Sequence, residues 1–186
     1  MTKQDRRVVR SLKAIDDAYL QLLTEEEFEK ISVSEIARRA DIDRKTFYLH
    51  YNNVDELLEH LGDTHAENFI LLMHEHQSTD QMRPVDAFFL ALNELISENL
   101  FFYCRIAKLQ ESFRFWEKLQ HCGEELVEEM IADYPDIAES LYPSGVKFYT
   151  AGIFDVYLSW LRGEIDAEMS SLQEQLKYCI RTGIPL

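Results

Sequence analysis

An all-helical fold is what this sequence predicts, and three observations predict it. Apolar residues recur at three- and four-residue spacing along most of the chain, only 6 glycines and 4 prolines interrupt 186 residues, and no strand-length alternation of polar and apolar residues occurs. The composition, 46% apolar and 28% charged, is that of a folded soluble protein, long enough for one full-sized core or for a small head joined to a larger body. The opening MTKQDRRVVR lacks the apolar centre of a signal peptide, and no run of 18 apolar residues follows, so a cytoplasmic location with no membrane association is expected. Cys104, Cys122 and Cys179 are odd in number and widely spaced, which suits small buried hydrophobes better than a disulfide frame or a zinc site.

The elements follow in order. Val9, Leu12, Ile15, Tyr19, Leu22 and Leu23 mark one face of a helix from about 5 to 23, with Lys3, Arg6, Arg7, Arg10 and Lys13 on its outer side. Ser32-Val-Ser-Glu35 is a capping-box pattern: the Ser32 hydroxyl takes the Glu35 amide, and the Glu35 side chain is expected to return to the Ser32 amide. A short helix then runs to about Ala40. Asp41 tolerates the left-handed conformation that ends a helix, and Asp43 is expected to cap the next one, which spans roughly Arg44 to His50. Asn53-Val-Asp-Glu56 launches a long helix through Leu57, Leu58, Leu61, Phe69, Leu72 and Met73, with an exit loop between Gln77 and Pro84. Further helices are expected near 85–98, 100–110, 113–133, 145–163 and 169–182, separated by Pro135, Pro143 and Gly163.

Charge divides the chain where the helix pattern does. Residues 1–50 hold ten basic and ten acidic side chains, whereas residues 51–186 hold nine and twenty-four, which accounts for the whole net charge of −15. All repulsion toward nucleic acid therefore lies in the body. Two short helices joined by a tight turn, the second rich in polar and basic groups, form a helix-turn-helix, a unit that lays its second helix in the DNA major groove. Ile36, Ala37, Ala40, Ile42 and Phe47 are expected to hold the two helices together, leaving Arg44, Lys45, Thr46, Tyr48 and His50 outward.

The run from Ile31 to Leu58, ISVSEIARRADIDRKTFYLHYNNVDELL, resembles the DNA-binding region of the TetR/AcrR family of bacterial transcriptional regulators. Glu27 and Asp41 stand where that family often has glycine, and Val54 where it commonly has a phosphate-binding lysine. The resemblance implies a three-helix head over 1–52 and an effector-binding and dimerisation body over 53–186. It implies that Ser32, Ser34, Thr46, Tyr48 and His50 bond DNA phosphates, while Arg44 and Lys45 are the candidates for reading bases, arginine's fork matching the guanine acceptors. Two readings of the Tyr48 ring stay open, core packing with only the hydroxyl reaching DNA, or full exposure. Arg38 and Arg39 are either backbone contacts or solubility charges.

The resemblance also implies a homodimer on a palindromic operator and, as the usual output, repression relieved by a small organic effector. Residues 146–161 are apolar around most of a helix circumference, so a partner subunit is expected to cover one side. Phe148, Ile153, Tyr157 and Trp160, with Leu172 and Leu176 of the last helix, are the candidate dimer contacts; the alternative is a central helix buried in a monomer. The aromatics Phe88, Phe89, Phe102, Tyr103, Phe113 and Trp116 are the candidate walls of an effector pocket, against ordinary core packing, with Glu94, Glu98 and Glu111 as possible sources of negative charge. ISENLFFYCRI and FYTAGIFDVYLSWL resemble, less specifically, the bodies of the co-activated regulators of dihydroxyacetone-kinase operons, which implies control by a protein partner instead of a small molecule. An enzyme is not expected: no phosphate-binding glycine loop, nucleophile elbow or His-Glu-x-x-His run is present, and His60, His65, His74 and His76 never stand three or four residues apart. Neither a cofactor nor a metal is expected.

Overall fold

The computed structural model describes residues 3–25, 30–78, 82–132 and 144–182. Among these are nine α-helices and no strand: α1 (Lys3–Glu25), α2 (Val33–Arg39), α3 (Arg44–Tyr48), α4 (Val54–Ser78), α5 (Pro84–Glu98), α6 (Leu100–Ile106), α7 (Phe113–Ile131), α8 (Ser144–Arg162) and α9 (Met169–Thr182), with a 3₁₀ turn at Gln110–Ser112. Glu27, Pro135 and Pro143, singled out in the sequence, lie outside the described residues, as do the side chains of Lys3 and Glu111.

Local chemistry sets the head. The Ser32 hydroxyl accepts the Glu35 amide at 3.3 Å, as the capping-box pattern requires. The reciprocal half is missing, because the Glu35 carboxylate turns instead to the Arg38 guanidinium, at 3.0 and 2.5 Å. Asp41 takes the left-handed turn, with φ 54°, but Asp43 makes no side-chain cap; only its carbonyl serves α3, accepting from the Thr46 and Phe47 amides. Ile36, Ala37 and Phe47 are buried between the two helices, and Ile15, Tyr19, Leu22 and Leu23 of α1 close the head beneath them. Val9 is the exception on that face, at 53% exposed.

Helix α4 then joins head to body. Asn53 Oδ1 accepts the Glu56 amide at 2.8 Å, and the Glu56 carboxylate returns to the Asn52 amide at 2.6 Å, a reciprocal cap displaced by one residue from the standard box. At 25 residues α4 is roughly 37 Å long, enough to run from the head deep into the bundle. It packs against α5 and α7, α7 packs on α8, α9 packs on α5, and α6 contacts α1. The core is continuous from Ile15 in the head to Leu161 in α8. Arg105 reinforces the joint, its Nε donating to the Leu23 carbonyl at the end of α1 at 2.8 Å.

The body's polar groups are tied across helices. The Tyr157 hydroxyl donates to Asn93 Oδ1 at 2.6 Å, Asn93 Nδ2 donates to Gln173, and Lys177 pairs with Asp86 at 3.0 Å, so α8, α5 and α9 share one hydrogen-bonded seam. Gly163, at φ 82°, ends α8 in a Schellman motif: its amide bonds the Trp160 carbonyl and the Glu164 amide bonds that of Ser159, both at 2.9 Å. Of the polar side chains along α8, Thr150 is buried, Ser159 is half-buried, and Lys147, Asp155 and Arg162 are exposed, with Arg162 Nε donating to the Ala107 carbonyl at 2.7 Å.

Candidate nucleic-acid interface

Phe47 is the anchor of α3: it is fully buried and meets the rings of Tyr48 and Tyr51 at 5.8 and 5.6 Å. A helix advances 100° per residue, so fixing Phe47 inward turns Arg44, Lys45, Tyr48 and Leu49 outward over an arc of roughly 140°. All four are exposed, Tyr48 at 56%. Tyr48 is thus packed and exposed at once: its ring meets that of Phe47 at a right angle, and the residue stays open to solvent.

Ser32 and Ser34 at the start of α2 are exposed beside that arc, and Arg44 Nη1 donates to Ser34 Oγ at 3.3 Å. The structure thus brings Ser34 and Arg44 together across the turn. Lys45 is exposed and Thr46 half-buried. Arg38 and Arg39 are both engaged by acids, Arg38 by Glu35 and Arg39 by Glu25 at 2.7 Å. The Arg38 guanidinium holds the Glu35 carboxyl below the usual carboxylate range.

His50 stands differently from the rest. Its Nε2 lies 2.8 Å from Ser11 Oγ in α1, and the same hydroxyl is 2.9 Å from the Val8 carbonyl. With the hydroxyl proton on Val8, His50 donates Nε2–H and its other nitrogen is an acceptor that cannot bond a phosphate. With the proton on His50, Nδ1–H is a free donor. In both arrangements the ring braces the end of α3 against α1. Partial burial also pushes its pKa down, favouring the neutral ring.

The body residues separate into two groups. Phe88, Phe89, Phe102 and Tyr103 are completely enclosed: Phe88 packs edge-on to Phe69, Phe89 and Phe154, and Phe102 and Tyr103 pack with His65 and Phe115. These four are core. Phe113, 68% exposed, and Trp116 instead edge a groove of about 430 Å³ between α7 and α8, with Gln120, His121, Glu124 and Lys147 among its other walls. Glu94 bonds His76 at 2.8 Å, and Glu98 faces solvent.

The candidate dimer residues divide likewise. Tyr157 and Leu172 are buried within the protomer, Ile153 is almost so, and Trp160 donates its indole N–H to the Ala167 carbonyl at 2.7 Å. Phe148, 63% exposed, and Leu176 remain on an apolar surface groove of about 540 Å³, which continues over Gly152, Val156, Cys179 and Ile180. Of these, Gly152 alone has no place in the apolar pattern of the sequence; Val156 belongs to the apolar run of residues 146–161, and Cys179 and Ile180 fall on the same stripe as Leu176.

One further pair escaped sequence reasoning. His65 of α4 lies under the bundle with Nδ1 2.6 Å from the Tyr103 hydroxyl and its ring stacked on Phe102 at 5.0 Å. Burial pushes its pKa down to about 4, and pushes that of Tyr103 up. Among the described residues no three His, Cys, Asp or Glu side chains gather as metal ligands, and no helix is long and apolar enough to cross a membrane.

Comparison with known proteins adds four findings. Residues 15–61 match the family described as "Bacterial regulatory proteins, tetR family". Over 56 residues the chain is 46% identical to an uncharacterised HTH-type transcriptional regulator, YxbF, of Bacillus subtilis (30% of this chain, 15% of that protein). Over 121 residues it is 29% identical to the HTH-type dhaKLM operon transcriptional activator DhaS of Lactococcus lactis (65% of this chain, 60% of that one). The matches therefore span less than two thirds of either relative. Among solved structures, the fatty acid degradation regulator FadR from Bacillus halodurans superposes with a TM-score of 0.71 at 16% identity, covering 94% of this chain and 96% of that one, which is a likeness of fold.

Proposed function

Because the chain belongs to the TetR family of helix-turn-helix transcriptional regulators, a family of regulators and not of enzymes, we propose that it binds a palindromic operator as a homodimer in the cytoplasm and represses transcription until a small organic effector releases it. The observation that carries this reading is the exposed arc of α3. Arg44, Lys45 and Tyr48 point outward together from a helix held down by Phe47, beside the two exposed serines of α2. Ser32, Ser34, Thr46 and Tyr48 hold phosphates, and Arg44 and Lys45 meet base edges. His50 contributes chiefly by holding α3 to α1. The acidic body keeps the rest of the surface off the DNA.

The dimer forms through the α8 and α9 surface around Phe148, Gly152 and Ile180. The effector enters the groove beside Phe113 and Trp116, where α7 is clamped to α4 by Lys118, which reaches the Glu59 carbonyl at 2.9 Å and Asp63 at 2.6 Å. A ligand that shifts α7 thereby tilts α4 and alters the separation of the two α3 helices, which must lie roughly 34 to 36 Å apart to meet successive major grooves. Differential binding of about 1 to 3 kcal/mol lowers operator affinity about 5- to 150-fold.

A second reading is favoured by two observations: the enclosed packing of Phe88, Phe89, Phe102 and Tyr103, and the stretch shared with an operon activator. In it the body is filled by its own side chains, and a protein partner controls an activator. The test is fluorescence anisotropy on DNA upstream of the gene against a shuffled control across a salt series, followed by a thermal-shift ligand screen. Preferential binding by two protomers with ligand-dependent release supports repression. Preferential binding that no small molecule alters supports the second reading, and absence of binding at low salt removes both.

A further inference from the structure

We infer that Leu49 reads a thymine in each half-site, packing its isobutyl group against the C5-methyl of that base. At 76% it is the most exposed large apolar side chain among the described residues, in a chain whose core takes up most of its other leucines. The position is not a frayed end. The Leu49 amide bonds the carbonyls of Lys45 and Thr46 at 3.2 and 3.3 Å, and the next residue, His50, is braced on Ser11.

Leu49 therefore shares the outward arc of α3 with Arg44, Lys45 and Tyr48 and follows Lys45 by one turn, so whatever Lys45 approaches, Leu49 approaches the neighbouring base pair. In the major groove only thymine presents an apolar group; the other bases present donors and acceptors that a leucine would desolvate without replacing their hydrogen bonds. An exposed leucine at this place favours thymine both by contact and by penalising its competitors. The side chain cannot serve a phosphate, which separates it from every other outward residue of α3.

This inference rests on the DNA-binding reading above, and one experiment separates their failures. Full-length protein and Leu49→Ala are each used to select duplexes from a randomised DNA pool, and the enriched sequences are compared. The expected result is one position per half-site at which the unaltered protein demands thymine and Leu49→Ala does not, all other preferences being retained. Replacing that thymine by deoxyuridine, which removes only the methyl, then weakens the unaltered protein about 3- to 10-fold and leaves Leu49→Ala unchanged. Enrichment with identical preferences in both proteins, or indifference to deoxyuridine, overturns the role of Leu49 while leaving the regulator intact. No enriched sequence for the unaltered protein overturns both. Because the side chain is exposed, Leu49→Ala is expected to melt at the same temperature as the unaltered protein, which circular dichroism checks.

Discussion

Tyr48 and Arg44 stand one turn apart on α3 and, in the proposed reading, ask different things of DNA. A phenol hydroxyl on a phosphate carries no sequence information, whereas a guanidinium fork on guanine does. Tyr48→Phe is expected to weaken binding to all sequences about equally. Arg44→Ala should cost about 1 to 3 kcal/mol and relax the preference at one position per half-site, which binding to an operator and its single-base variants reads directly. Uniform losses for both would remove Arg44 as a reader. His65 offers a second residue-scale expectation. Its pKa is depressed in the fold to about 4, so between pH 6.5 and 4 the unfolded chain binds a proton that the folded chain refuses, and stability falls as pH falls. The loss from this group is about 2 kcal/mol by pH 5. His65→Gln keeps a partner for Tyr103 but does not titrate, so urea unfolding at pH 7.5 and 5 should show a smaller drop for it. Equal drops would assign the pH dependence elsewhere.

At the scale of elements, the proposed mechanism depends on the contact between α4 and α7. Gly62 lets the two approach: a Cβ there would stand 3.2 Å from the Phe115 Cα, a backbone atom that cannot move aside without shifting the helix. Gly62→Val is therefore expected to destabilise the fold by about 1 to 3 kcal/mol despite removing a helical glycine, measurable as a lower urea midpoint. A midpoint that rises would show that α4 and α7 can separate cheaply. The same contact carries Lys118, which bonds one backbone carbonyl and one carboxylate of α4, so α7 can hardly move without α4.

For the whole molecule, the open matter is what covers the apolar face of α8 and α9. Phe148 is 63% exposed there, on a groove lined almost wholly by apolar residues. In the proposed reading a second copy related by a two-fold axis covers it without a new surface. The double variant Phe148→Glu with Ile180→Glu is expected to sediment as a monomer at micromolar concentration and to lose both tight operator binding and about half of its salt dependence. A variant that remains dimeric would place the interface elsewhere. With an acidic body attached to a head of balanced charge, weak nonspecific DNA binding is the expected background in either case.

The head was legible in the sequence because its information is local. A capping serine, a left-handed aspartate and the spacing of Ile36, Ala37 and Phe47 all act within some twenty residues, and each determines its own turn of chain. The order of the nine described helices was legible for the same reason, through periodicity and punctuation. Tertiary structure alone decided which apolar residues became core and which became surface. Phe113 and Phe115 differ by two positions on α7, yet one is 68% exposed and the other 1%; Tyr157, read from α8 as a subunit contact, is locked inward by Asn93 of α5. Periodicity says that a side chain needs cover, but which helix crosses over it depends on contacts far apart in the chain. His65 beneath Tyr103 and His50 against Ser11 are likewise pairings that no short stretch of sequence contains.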